Sequence, residues 1–91
     1  MTIHKWAIDL TDDNVVVMPE GATILCVQMQ AGRPCVWARV DKKARCVRRT
    51  LRMVGTGHPM DDLDAKAPYI GTIQAHGGSL VLHFFDLGEE G

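Results

Sequence analysis

Arg48 and Arg52 lead directly into Gly55-Thr56-Gly57-His58, and these are the residues of the chain best suited to chemistry. On a strand, a spacing of four residues projects both guanidinium groups to one side, about 13 Å apart. That separation suits a phosphate-bearing ligand or a protein surface better than one small anion. Two glycines around a threonine let successive backbone N–H groups form a concave nest for an anion, with the Thr56 hydroxyl and the His58 imidazole as further donors. The run matches neither GxGxxG nor GxxxxGK[ST], so it implies neither a dinucleotide fold nor a P-loop. A loop that only turns a corner is the simpler alternative.

Trp37 and Arg39 share a strand face and could stack a nucleobase while binding its phosphate, and Tyr69 is a second stacking candidate. The expected ligand-binding set is therefore Arg48, Arg52, Gly55, Thr56, Gly57, His58, Trp37, Arg39 and Tyr69. No catalytic residue is assigned. His58, His76 and His83 with Asp61 or Asp62 would form a metal or acid–base site only if separate loops were brought together, so neither a metal nor a cofactor is expected. His4 and His83 lie within apolar strands and read as core or half-buried histidines.

Charge is unevenly spread. Between Ala31 and Gly55 there are eight Arg and Lys residues against Asp41 alone, a local net charge of +7, while the rest of the chain carries −8. Such a split fits an anionic ligand at the middle of the chain, or pairing of acidic with basic segments within or between subunits. Nucleic acid is a poor match, because the basic segment lacks interleaved aromatics and the whole chain is slightly acidic. With 46% apolar and 23% charged residues, the composition is that of an ordinary globular domain. A chain of 91 residues buries only about two-thirds of its unfolded surface, so one core is expected, with association into a homo-oligomer as a way to enlarge it. Cys26, Cys35 and Cys46 are odd in number, lack CxxC spacing and lie in apolar runs, which points to buried free thiols in a reducing cytosol. No signal peptide or membrane helix is apparent, and a cytoplasmic location with no membrane partner is expected.

The elements that must position these residues read as strands. Thr2 to Leu10 alternates with His4, Trp6, Ile8 and Leu10 on one side, and Val15 to Val17 is a short β-branched run stopped at Pro19-Glu20-Gly21. Thr23–Gln30 and Cys35–Val40 form a hairpin across Ala31-Gly32-Arg33-Pro34. On the arginine strand, Val47, Leu51 and Met53 should face the core while Arg48, Thr50 and Arg52 face outward. Residues 55–68 form one long Gly-hinged loop, in which Pro59 to Leu63 could begin a helical turn. Tyr69–Ala75 and Ser79–Asp86 form a second hairpin across His76-Gly77-Gly78, and the last strand, apolar on both faces, should be central. The expected class is all-β, a small antiparallel sandwich or partly open barrel of about six or seven short strands. Residues 1–91 are read as a single β-rich domain with 87–91 as a frayed acidic tail.

The N-terminal HKWAIDL strand, the Val17-Met18-Pro19-Glu20-Gly21-Ala22 turn, the CVWARV strand, the VGTGHPM loop and the closing GGSLVLHFF together resemble the DUF7352-like family of small bacteriophage and prophage proteins. The resemblance spans nearly the whole chain, and its best marks are Thr56-Gly57-His58, Trp37, and Gly78 with His83. It implies a phage or prophage setting and supplies no catalytic signature. The functional expectation is a small binding protein, not an enzyme, that captures an anionic, nucleotide-like molecule; in a phage, sequestering a host immune signalling nucleotide would be its use. A protein-interaction module, such as an inhibitor of a host enzyme or a small assembly factor, is the alternative, and a small His58-dependent hydrolase stands behind both.

Overall fold

A computed structural model describes residues 1–90. Seven strands follow one another as β1 (Thr2–Ala7), β2 (Asp13–Pro19), β3 (Thr23–Gln30), β4 (Arg33–Val40), β5 (Cys46–Gly55), β6 (Tyr69–Ala75) and β7 (Leu80–Glu89). A short helix, α1 (Asp62–Lys66), and one 3-10 turn (His76–Gly78) interrupt them. All pairings are antiparallel and form two sheets, one ordered β1-β4-β3 and the other β2-β5-β7-β6. The result is a small all-β sandwich, not a closed barrel.

Alternation places the core. In β4, Val36, Ala38 and Val40 are fully buried and face Met18, Leu51, Leu82 and Phe84 from the other sheet within one apolar cluster. Trp6 and Ile24 pack against that cluster from β1 and β3. β7 is central in its sheet, between β5 and β6, as its two apolar faces predict. Pro19 is tolerated in β2 because that strand is an edge, where a missing N–H breaks no ladder. Asn14 is buried yet satisfied: its amide donates to the Asp9 carbonyl and its oxygen accepts from the Asp9 N–H, both at 2.9 Å, which closes the β1–β2 turn.

The hairpin between β3 and β4 turns through Ala31-Gly32, and that between β6 and β7 through His76 to Ser79. The two sheets come closest where β6 crosses β3. A Cβ at Gly71, whose φ is +154°, would lie 3.1 Å from the Val27 carbonyl oxygen and 3.2 Å from its nitrogen, so only glycine lets these backbones meet.

Two expectations need correction. The tail does not fray from Leu87: β7 continues to Glu89, whose carboxylate accepts from the Gly21 N–H at 2.5 Å, and Glu90 pairs with Arg48 at 2.8 Å. Carboxylates that look like solvated ends in one dimension meet the arginines of β5 in three. Gly91, the last residue of that expected tail, lies outside the described residues. The three cysteines are free but not uniformly buried. Cys35 is buried and Cys26 half-buried, while Cys46, opening β5 on the same side as Arg48, is exposed. Among the described residues no helix is long and apolar enough to cross a membrane.

Candidate functional site

β5 splits by parity into an inner row with Leu51 fully buried and an outer row of Arg48, Thr50 and Arg52. The outer arginines are not free. Arg52 donates from Nη1 to Asp64 Oδ1 at 2.6 Å and from Nε to Asp13 Oδ1 at 2.5 Å, with Asp61 Oδ2 at 3.8 Å. Its pKa is raised above the ordinary arginine value, first by the hydrogen bond to Asp13 and also by that to Asp64, against the opposing effect of burial. Arg48 pairs with Glu90 and is well exposed. Arg49, on the inner parity, is the most enclosed of the set. It donates to both oxygens of Asp86 at 3.0 and 2.6 Å and to the Ala22 carbonyl at 2.8 Å, and its pKa is raised chiefly by the Asp86 bond. Arg45 grips Glu20 through Nε and Nη2 at 3.1 Å each, which raises Arg45 and lowers Glu20. Four of the eight cations of the basic segment, Arg45, Arg48, Arg49 and Arg52, therefore pair with acids of the same chain.

The glycine loop is a turn whose amides are partly committed. His58 N–H donates to the Gly55 carbonyl at 3.0 Å and Thr56 N–H to the Val81 carbonyl at 3.2 Å, with Gly57 at φ +85° supplying the positive φ such a turn needs. Two donors of the expected anion nest thus face the protein. Gly55 also has a packing role that its sequence context does not disclose, because a Cβ there would sit 3.1 Å from the His58 ring.

Beside the turn, His83 of β7 joins two candidates. Its Nε2 is 2.7 Å from the Thr56 hydroxyl and its Nδ1 is 2.7 Å from the Tyr69 hydroxyl, which also bonds Thr72. Tyr69 meets Phe85 edge-on, with centroids 5.1 Å apart. The ring of His83 is therefore satisfied on both nitrogens by hydroxyls. Among the described residues no three His, Cys, Asp or Glu side chains are grouped as metal ligands.

A cleft of about 380 Å³ opens between Arg52 and His58, with Asp12, Asp13 and Asp64 in its wall. Its size is that of a small-molecule pocket, in the general range of about 300–1,000 Å³. Its charge is wrong for phosphate, since three carboxylates outnumber one guanidinium, which Asp13 and Asp64 already bind. Helix α1 supplies this arrangement: the Asp61 side chain caps its start by accepting from the Asp64 N–H at 2.8 Å, which aims Asp64 inward at Arg52.

Trp37 and Arg39 lie elsewhere. They occupy the central strand of the three-stranded sheet, on the face turned away from the core, opposite Lys5 and Ile3 of β1. The expected site residues thus fall into two groups. Arg48, Arg52 and Tyr69 belong to the four-stranded sheet, with Gly55, Thr56, Gly57 and His58 at the end of its β5, and Trp37 with Arg39 stands on the other sheet. Sequence reasoning missed Asp13, Asp64 and Asp86 as the partners that neutralise the arginines. The available signal was the charge split itself, which already allowed pairing within the chain.

A family model described as a domain of unknown function (DUF7352) matches residues 1–91. No curated protein and no solved structure gives a significant match.

Proposed function

The chain belongs to the DUF7352 family over residues 1–91, and within that family we propose that it is a binding module, not an enzyme, which recognises an anionic partner on the outer face of its three-stranded sheet. The supporting observation is the division of its cations. Arg45, Arg48, Arg49 and Arg52 each have a carboxylate of the same chain within ion-pair distance, whereas among the described residues no carboxylate reaches Lys5, Arg33 or Arg39 on the three-stranded sheet, nor Lys42, Lys43 and Lys66 outside it. A cation without an internal counterion attracts an external one at little desolvation cost. Capture of phosphate by Arg48 and Arg52 does not form part of this reading, because an incoming anion would have to displace Glu90, Asp13 and Asp64. In the phage or prophage setting that the family resemblance implies, the partner belongs to the host or to the assembling particle.

The test is titration with a panel of anions that includes cyclic dinucleotides, ADP-ribose, oligothymidylate and polyglutamate. At least one should bind more tightly than about 1 mM, weaken as salt rises, and lose affinity in Arg39→Glu but not in Arg48→Glu. Silence across the panel, or a loss in Arg48→Glu alone, would refute the reading.

A further inference from the structure

The three strands of the β1-β4-β3 sheet contain no aspartate or glutamate at all. Every one of the chain's 11 acids lies elsewhere, while Lys5, Arg33 and Arg39 lie on this sheet. By strand parity Arg33, Trp37 and Arg39 share the outer face, and the register places Ile3 beside Arg39 and Lys5 beside Trp37. Lys5 reaches across β4 to bond the Gln30 side chain of β3, so its ammonium lies over the face and not beyond its edge. Ile3 is well exposed, and Leu25 is exposed at the bulge where β3 skips a pairing between Ile24 and Cys26. Trp37 is half-buried, yet it is not among the residues packed on the core. An aromatic flanked by aliphatics and rimmed by arginine and lysine has the composition of a protein-contact centre, where Trp and Arg are enriched.

β1 is also an edge. Among the described residues it pairs with β4 alone, so alternate N–H and C=O groups from Thr2 to Ala7 have no strand partner on the far side. Extended peptides bind sheets by adding to such an edge, with main-chain bonds giving affinity and alternate side chains giving choice. We infer that the partner is an acidic, extended segment of another protein, which adds along the free edge of β1 and sets its carboxylates against Lys5 and Arg39 beside Trp37. The inference rests on the anionic-partner reading and narrows it to one class.

Charge and shape argue against the other occupants. Single-stranded nucleic acid uses successive aromatics as stacking platforms, and this face offers Trp37 alone, while Ile3 and Leu25 give phosphates nothing. A second copy of the chain offers no extended acidic run, since Asp13, Asp64, Asp86, Glu20, Glu89 and Glu90 are already paired with its own arginines and the other five acids, Asp9, Asp12, Asp41, Asp61 and Asp62, lie outside its strands.

The experiment pans a displayed library of random dodecapeptides against the full chain, then measures the enriched peptides and oligothymidylate, each carrying a fluorescent label, by anisotropy. Enriched peptides should carry several carboxylates alternating with aliphatics. Their affinity should fall tenfold or more in Arg39→Glu and in Trp37→Ala, remain within twofold of wild type in Arg48→Glu, and decline with salt. Trp37→Phe, which keeps an aromatic ring, guards against an effect on folding and should retain most of the binding when followed by peptide anisotropy. Peptides without acidic enrichment, or acidic peptides indifferent to Arg39→Glu, overturn the inference. Binding of oligothymidylate or a nucleotide at Arg39 with no peptide enriched overturns it too, but leaves the anionic-partner reading standing. If no anion of any kind binds, both fall together.

Discussion

Arg52 Nη1 stands 2.6 Å from Asp64 Oδ1, and the Asp64 side chain is 5% exposed while that of Arg52 keeps 23%. The residue expected to greet a ligand is thus the counterion of a buried acid. The pair ties α1 to β5, and its cost of disruption depends on which member is removed.

Truncating Arg52 leaves the Asp64 carboxylate buried without its donor. Arg52→Met should destabilise the fold by about 2–3 kcal/mol, less than the 3–5 kcal/mol of a fully enclosed pair because Arg52 is partly solvated. Asp13, the other close partner, is 57% exposed, so Asp13→Asn should cost under about 1 kcal/mol. Urea denaturation midpoints measure both, and equal losses would show that Asp64 is not the anchor.

Arg49 and Asp86 have side chains only 11% and 10% exposed. The guanidinium spans both carboxylate oxygens and the Ala22 carbonyl at once, which joins β7 to the turn between β2 and β3. A lysine ammonium cannot reproduce that fork. Arg49→Lys should lose about 2–3 kcal/mol despite conserving charge, whereas Arg48→Lys, at an exposed pair, should change the denaturation midpoint little.

Gly71→Ala tests the crossing of the sheets. The added methyl meets the backbone of Val27, which cannot swing aside as a side chain can, and it does so at a φ that alanine rarely adopts. A loss of about 2–3 kcal/mol is expected from the strain and overlap together. Gly57→Ala supplies the contrast, since its φ of +85° is unfavourable but nothing lies within 4 Å. That change should cost about 1 kcal/mol, and a similar loss at both positions would exclude a tight crossing.

The Glu20–Arg45 pair gives a dependence on pH. Hydrogen bonding to Arg45, with the nearby positive charge, holds Glu20 below its ordinary 4.5. A carboxylate whose folded value lies below its unfolded one adds stability that is present above the unfolded value and lost as pH falls through the folded value. Thermal melts of wild type and Glu20→Gln should therefore differ slightly at neutral pH and converge in acid below 4.5. The effect is small because both side chains are solvated, and raised salt should shrink it. A difference that grows on acidification contradicts the assignment.

Much of the fold was legible in one dimension. The alternation in Cys46–Gly55 separated Leu51 from Arg48 and Arg52, the Ala31-Gly32-Arg33-Pro34 and His76-Gly77-Gly78 turns located both hairpins, although β4 already begins at Arg33, and an apolar β7 announced a central strand. Each of these follows from period-two geometry or local turn chemistry, which act over a few residues.

What the arginines touch was not legible. Arg52 meets Asp13 across 39 positions and Arg49 meets Asp86 across 37, distances over which no local pattern operates. The order β2-β5-β7-β6 brings the acidic ends of β2 and β7 against β5, and α1 folds Asp64 over it. The same topology carries Trp37 and Arg39 away to the other sheet and leaves Arg39 without a counterion among the described residues. Side-chain alternation is a property of the strand, and so the sequence alone determined which residues could face outward. Charge neutralisation is a property of neighbouring strands, and so only the tertiary structure decided that Arg48 and Arg52 are paired inside the chain while Arg39 is not.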